Sequence, residues 1–226
     1  MDLIISERPE VICLQECPSI MSEILSDRQY YVSFTPLTLR ECSDPKCQEG
    51  ILLASLLPHH SAVHYYRTGI DELRIFKKED YYHTMKKAVL YADVGGIHVA
   101  TTHFTWTPEG SEPNEYQYQE MQLLLQYLDR LPPHVLCGDF NIPRGYNPIY
   151  EQYLLPRYVD AVPAEYTSSL DPTAHRMGNV PEKQHLFTQY MVDYIFTQKP
   201  LSAQDVRLIF EVSDHAAVVG EILDVT

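Results

Sequence analysis

A mixed α/β fold is what this sequence predicts. Short β-rich apolar runs alternate with helical patterns in the first half, and hairpin-like pairs of such runs dominate the second. One long stretch carries apolar residues at helical spacing and stops before a Pro-Pro pair. Alternation argues for strands packed under helices, and the hairpins add an antiparallel component.

Taken in order, VICL at 11–14 follows Pro9 and reads as a buried strand. Residues 18–27 place Ile20, Ile24 and Leu25 on one helical face, with Pro18 in the first turn. Residues 30–34 and 51–57 read as strands, and the polar stretch 37–50 as a loop. The β-rich runs 87–93 and 97–103 flank Gly95-Gly96, a hairpin signal. Residues 112–130 carry Tyr116, Met121, Leu124, Leu125 and Leu128 at helical spacing and end before Pro132-Pro133. A short strand at 134–137 runs into Gly138, a helix is expected near 147–155, and β-rich runs at 192–197, 206–210 and 216–222 close the chain.

Composition bounds the function. The 226 residues suit one domain, with 45% apolar and 21% charged residues, which rules out wholesale disorder. Seventeen Lys and Arg against 31 Asp and Glu leave a formal charge of −14. Long nucleic acid is held mainly by Lys and Arg on phosphates, so this charge opposes it at long range. An acidic excess has a second source, since carboxylates that hold divalent cations count as negative. The N-terminus has no basic region followed by an apolar stretch, no apolar run is long enough for a transmembrane helix, and the five cysteines are too sparse for a disulfide framework. A soluble, cytoplasmic, monomeric protein without a stable protein partner is expected.

Chemistry-bearing residues stand at the ends of apolar runs. Glu16 ends ICLQE, His103 ends HVATTH, Asp139 and Asn141 follow HVLCGDFN, Asp193 opens VDYIF, and Asp214-His215 precede AAVVGEI. Strand ends deliver side chains from rigid backbone to a cleft. Carboxylates, imidazoles and an amide there form a hard, oxygen-rich set of the kind Mg²⁺ or Mn²⁺ prefers, whereas no Cys/His pair has zinc-ligand spacing alongside.

In their order, LQE at 14–16, TH at 102–103, GDFN at 138–141, DYIF at 193–196 and SDH at 213–215 resemble the endonuclease/exonuclease/phosphatase (DNase I-like) superfamily. The resemblance implies a four-layer sandwich of two mixed β-sheets flanked by helices. It implies a Mg²⁺- or Mn²⁺-dependent phosphodiesterase that hydrolyses a phosphoester with an activated water. By this resemblance Glu16, Asp139 and Asp214 are metal carboxylates, and Asp139 also orients the water. Asn141 fixes Asp139 and contacts a phosphoryl oxygen, His215 is the catalytic imidazole held by Asp193, and His103 is a second phosphoryl donor. Trp106 and Arg144 are candidate substrate contacts. The family's first strand, ending in a metal-site Asn, has no counterpart in the ten residues before Val11, where Asp2 to Glu7 resembles the end of its crossover helix. Residues 1–226 are therefore read as a single domain, truncated at its N-terminus and lacking that strand.

Blander readings exist for each piece. GDFN alone is a plausible turn, and the lone acids are plausible surface residues; the five motifs in order outweigh them. His59, His60 and His64, with Cys42 and Cys47, match no metal spacing and are expected as polar loop residues, while Cys13 and Cys137 are expected as buried hydrophobes. For substrate, a nucleic-acid end is expected first. A lipid headgroup is second, because TSSLDPTAHR followed by VDYIF resembles sphingomyelinases. The alternative of another class is a catalytically inactive binding module of the same fold.

Overall fold

The computed structural model of the chain describes residues 2–41, 47–108 and 110–225. Its backbone divides into two compact units, Met1–Phe104 with Leu123–Leu131, and Thr105–Gln122 with Pro132–Thr226.

In the first unit, helix α1 (Asp2–Glu7) leads to strand β1 (Val11–Pro18), helix α2 (Ile20–Ser26) and strands β2 (Tyr31–Leu39) and β3 (Gln48–Ser55). β3 lies between β1 and β2 and is antiparallel to both. Ile51, Leu52, Leu53 and Ala54 are all fully buried, a continuous apolar run that suits a central strand covered on both faces. The unit continues with β4 (His59–Tyr65), helix α3 (Tyr81–Thr84), β5 (Ala88–Val94) and β6 (Ile97–His103), in which β5 pairs antiparallel with β4 and β6. The two-residue turn from β5 to β6 has φ 61° at Gly95 and 92° at Gly96, so the glycine pair serves a turn that side chains avoid.

Helix α4 (Glu115–Leu128) starts where the Asn114 side chain accepts the Gln117 N–H at 3.1 Å. Met121, Leu124, Leu125 and Leu128 form its buried stripe, as the spacing predicts, whereas Tyr116 is exposed.

The second unit holds β7 (Val135–Asp139), a π-helical turn (Tyr150–Leu154), β8 (Val159–Asp160), helix α5 (Leu186–Gln189), β9 (Asp193–Thr197) and a hairpin of β10 (Leu201–Ile209) and β11 (Ala217–Asp224). β9 pairs antiparallel with both β7 and β8. Aromatic rings fill the space beside it: Phe140 meets Phe196 edge-on at 5.4 Å, and Tyr194 stacks on Phe196 at 4.9 Å.

Several expectations are corrected. The stretch 37–50 is not a loop throughout, since β2 and β3 both extend into it, and its residues 42–46 lie outside the described ones. Two of its polar residues, Thr38 and Glu49, are buried because they are paired. The Thr38 hydroxyl is hydrogen-bonded to the carbonyls of Arg74 and Thr84, and Glu49 pairs with Arg40. Pro18 closes β1 instead of opening α2, since residues 17–18 stay in register with Gly50 and Glu49. His59, His60 and His64 lie on strand β4, whose exposed face hides the strand pattern. Cys13 and Cys137 are half-buried thiols, and Cys47 is disulfide-bonded. Burial, then the Glu49 charge, pushes the Cys17 thiol up to about 12, so it is unreactive at neutral pH. No helix among the described residues is long and apolar enough to cross a membrane.

Gly50 marks the tightest approach in the first sheet. A Cβ there would stand 1.9 Å from the Thr35 carbonyl oxygen, and backbone cannot yield as a side chain does. Gly50→Ala is therefore expected to destabilise the fold by about 3 kcal/mol or more. Thermal unfolding checks this, and a melting temperature within a degree of the parent would refute it.

Candidate active site

The second unit brings four of the expected residues together. β7 ends on Asp139 and β9 begins on Asp193, and these two are direct register partners across the antiparallel pair. Both carboxylates are buried, at 8% exposure each. Asp193 Oδ2 accepts a hydrogen bond from His215 Nδ1 at 2.7 Å and another from the Ser169 hydroxyl at 2.6 Å. Single donor atoms from Asp139, Asp193 and His215 all lie within 4.8 Å of one another.

Asp139 is steered by its neighbour. The Asn141 backbone N–H donates to Asp139 Oδ1 at 2.8 Å and its side-chain amide to Oδ2 at 3.3 Å. Asn141 sits at φ 52°, in the left-handed region that Asn tolerates better than most residues. Its carbonyl accepts from Gln117 Nε2 at 3.4 Å, and Gln117 in turn binds the Thr105 carbonyl and the Asn147 amide.

The electrostatics make His215 a cation at neutral pH. Burial by itself lowers the pKa of its imidazole. The charge and hydrogen bond of Asp193, then the charges of Asp139 and Asp214, overcome this and push it up to about 10. Nδ1 carries the proton shared with Asp193, which directs Nε2–H outward as a donor.

In the first unit, Glu16 and His103 approach each other, with His103 Nε2 4.0 Å from Glu16 Oε1. The Glu16 side chain is exposed while His103 is buried. Glu16 has φ 47° and occupies the register shift in β1 between Leu14 and Cys17, so a bulge aims it out of the regular strand. His103 ends β6, where the buried ammonium of Lys87 donates to the His103 and Phe104 carbonyls at 2.9 Å each. Burial and the Glu16 charge raise the Glu49 carboxyl, against the pull of Arg40 and Lys87.

The remaining expected residues are placed differently. Asp214 is exposed beside His215 and its carboxylate is not in the Asp139–Asp193–His215 cluster. Trp106 is half-buried in the irregular segment after β6. Arg144 is a structural anchor: its guanidinium donates to Asp160 and to the carbonyls of Val162, Pro163 and Tyr166 at 2.6–3.0 Å. These acceptors hold the 160–166 loop and redirect Arg144 away from the phosphate role expected of it. Sequence reasoning missed Ser169 and Gln117. Gln117 had a signal, a polar residue four before Met121 on the apolar stripe of α4. Ser169 had none beyond its place in TSSL.

A family model described as the Endonuclease/Exonuclease/phosphatase family matches residues 1–215. No curated protein sequence matches the chain. Among solved structures, an endonuclease/exonuclease/phosphatase from Beutenbergia cavernae is 18% identical with TM-score 0.65, over 98% of this chain and 64% of that one. The chain thus spans less than two thirds of the Beutenbergia protein's length. The human Nocturnin catalytic domain with bound sulfate anion is 18% identical with TM-score 0.65, over 98% of this chain and 83% of that one. D. rerio TDP2 complexed with single strand DNA product is 16% identical with TM-score 0.67, over 98% of this chain and 89% of that one. The likeness gives the fold, an α/β arrangement with mixed β-sheets and few helices.

Two outcomes follow from this geometry. Glycine at position 16 would remove left-handed strain of about 1–2 kcal/mol at a cost of about 0.5–1 kcal/mol in chain entropy, and an exposed side chain loses little packing. Glu16→Gly should therefore leave stability unchanged or raise it by about 1 kcal/mol, measured by denaturant unfolding; a clear loss would show that Glu16 packs structurally. Second, the folded pKa of His215 is raised from 6.5 to about 10. Its contribution to stability is complete below the unfolded value and is lost as pH rises through about 10. NMR titration should find that upward shift in the parent and a return toward the ordinary imidazole range in Asp193→Asn. An unshifted His215 in the parent would remove the ion pair.

Proposed function

We propose, since the chain belongs to the endonuclease/exonuclease/phosphatase family, that it is a divalent-cation-dependent phosphodiesterase that hydrolyses a phosphoester with an activated water and no covalent intermediate. The family's members are hydrolases of phosphoester bonds. The observation that carries the reading is the His215 imidazole hydrogen-bonded to Asp193, which stands directly opposite Asp139.

Each residue then has a chemical task. Asp139, its two oxygens aligned by Asn141, orients the attacking water and accepts its proton. His215 works as a donor: an imidazole that keeps its proton to about 10 offers Nε2–H to a phosphoryl oxygen as negative charge develops. Asp193 keeps the ring charged and in one orientation, and Ser169 holds Asp193. The Asn141 amide is a further donor to a phosphoryl oxygen. The carboxylate of Asp139 is a hard oxygen donor that fits Mg²⁺ or Mn²⁺, the exposed Glu16 carboxylate of the first unit is of the same kind, and Asp214 supplies further negative charge beside His215. Such an ion, when bound, neutralises phosphate charge and lowers the pKa of water.

Nucleic acid, cleaved at an end, is the substrate class favoured here. The solved TDP2 neighbour holds a single-stranded DNA product, and an end suits an acidic protein better than a long duplex does. A lipid phosphodiesterase is the second reading, because TSSLDPTAHR followed by VDYIF resembles the loop and strand of sphingomyelinases.

The test is a panel with Mg²⁺: abasic DNA, 5′-phosphotyrosyl DNA, single-stranded RNA, sphingomyelin and an aryl phosphodiester. Hydrolysis of at least one is expected, abolished by EDTA and restored by Mg²⁺ or Mn²⁺; activity that survives chelation excludes the mechanism. His215→Ala and Asp193→Ala should each lose about 10²–10⁴-fold in rate. The double variant should lose far less than the product, because the two act as one unit.

A further inference from the structure

One residue outside the motifs grips the segment that carries Asp214 and His215. The Asp171 backbone N–H donates to the Asp214 carbonyl at 2.9 Å, and Asp171 Oδ2 accepts the Glu211 N–H at 2.5 Å. Both ends of the turn 211–214 are therefore held by a single side chain and its own backbone. Glu211 stands at φ 64°, a left-handed conformation that Glu resists and that needs external restraint. On its other oxygen Asp171 accepts the Thr173 N–H at 2.8 Å, the Thr173 hydroxyl at 2.6 Å and the Ala174 N–H at 3.3 Å. Asp171 is 1% exposed, and no catalytic role uses it. The neighbouring backbone extends the grip, since the Ala216 N–H donates to the Ser169 carbonyl at 2.7 Å and Leu170 bridges His215.

We infer that Asp171 is a positioning residue: it fixes the 211–214 turn so that His215 leaves it in the orientation that meets Asp193. The catalytic consequence rests on the phosphodiesterase reading above, whereas the orientation of the ring does not. A side chain held at only one end of the turn would leave residue 211 free to abandon its left-handed conformation. His215 would then reach Asp193 in only part of the population. An acid suits this position because its two oxygens together accept four hydrogen bonds, from Glu211, Thr173 and Ala174. Burial would raise its carboxyl, but the hydrogen bonds from Thr173, Glu211 and Ala174 hold it below the usual range, so it stays an acceptor at both oxygens.

Asp171→Asn separates the tasks. Its amide oxygen keeps the bonds from residues 173 and 174, while its NH₂ faces the Glu211 N–H, donor against donor. With the substrate found in the panel, kcat should fall on the order of 10–100-fold with KM nearly unchanged, the size of effect a small misplacement produces. The His215 Nδ1–H proton, downfield and slow to exchange in the parent, should broaden into solvent exchange. Thr173→Val, which removes a bond to the same carboxylate without touching Glu211, should keep both kcat and the ring proton. Adding Glu211→Gly to Asp171→Asn, which makes φ 64° unstrained, should restore the ring proton and part of kcat, and it serves if the single variant does not fold. The inference is overturned if Asp171→Asn keeps the parent ring proton, if Thr173→Val loses it equally, or if glycine at 211 restores nothing. Should the parent hydrolyse nothing in the panel, the phosphodiesterase reading fails, and the ring-proton comparison alone still decides the role of Asp171.

Discussion

Two carboxylates directly opposite one another on paired strands repel, and the second unit is organised around that repulsion. With donor atoms of Asp139 and Asp193 within 4.8 Å, two like charges cost roughly 3–4 kcal/mol at an effective dielectric near 20. Paired strands cannot shift register to escape this without turning every side chain to the wrong face. The charge must be answered locally. His215 answers it with a proton, Ser169 with a hydroxyl, and Asn141 with two N–H groups divided between the oxygens of Asp139. The high proton affinity of His215 is the same fact seen from the imidazole.

Strained backbone recurs where these side chains are delivered. Glu16 has φ 47°, Asn141 φ 52° and Glu211 φ 64°, and two of the three are glutamates with no intrinsic liking for that region. In a regular strand Glu16 would alternate with its neighbours and follow the sheet, but the bulge turns it outward beside His103. Local restraints hold two of these three positions. Gln117 and Asp139 bracket Asn141, and Asp171 restrains Glu211. Strain kept at such positions, with bonds assembled around it, is the pattern expected where geometry matters more than stability.

Much of this was legible in the sequence, because residues at strand ends announce themselves. Asp139, Asn141, Asp193 and His215 each follow or open an apolar run, and the structure gathers them. The β5–β6 turn and the apolar stripe of α4 were equally plain from Gly95-Gly96 and from the heptad-like spacing. What could not be read was partner choice among polar residues. Arg144 looks like a phosphate ligand until Asp160 and three carbonyls claim its guanidinium. Thr38 and Glu49 look like loop residues because nothing in a one-dimensional string shows that Arg74, Thr84 and Arg40 satisfy them. Ser169 and Asp171 act through bonds to Asp193, Glu211 and Asp214, 24 to 43 positions away, a separation at which periodicity carries no information.

The charge of the chain and the charge of His215 bear jointly on the substrate. A formal −14 repels a polyanion at distances where the solvent has not yet screened it, and screening takes about 8 Å at physiological ionic strength. Within that length the imidazolium of His215 is already ion-paired with Asp193 and flanked by Asp139 and Asp214, so attraction for a phosphate requires a bound cation besides the Nε2–H donor. Attraction supplied in this way acts on the reacting group and does not extend along a backbone. A duplex, with a phosphate every few ångströms, carries the long-range repulsion along the rest of its backbone. A substrate whose negative charge is concentrated at one phosphodiester, at a strand end or on a headgroup, meets the attraction and little else. In our reading the substrate is then one whose charge is localised at the reacting phosphodiester, where a bound cation and the Nε2–H of His215 act together.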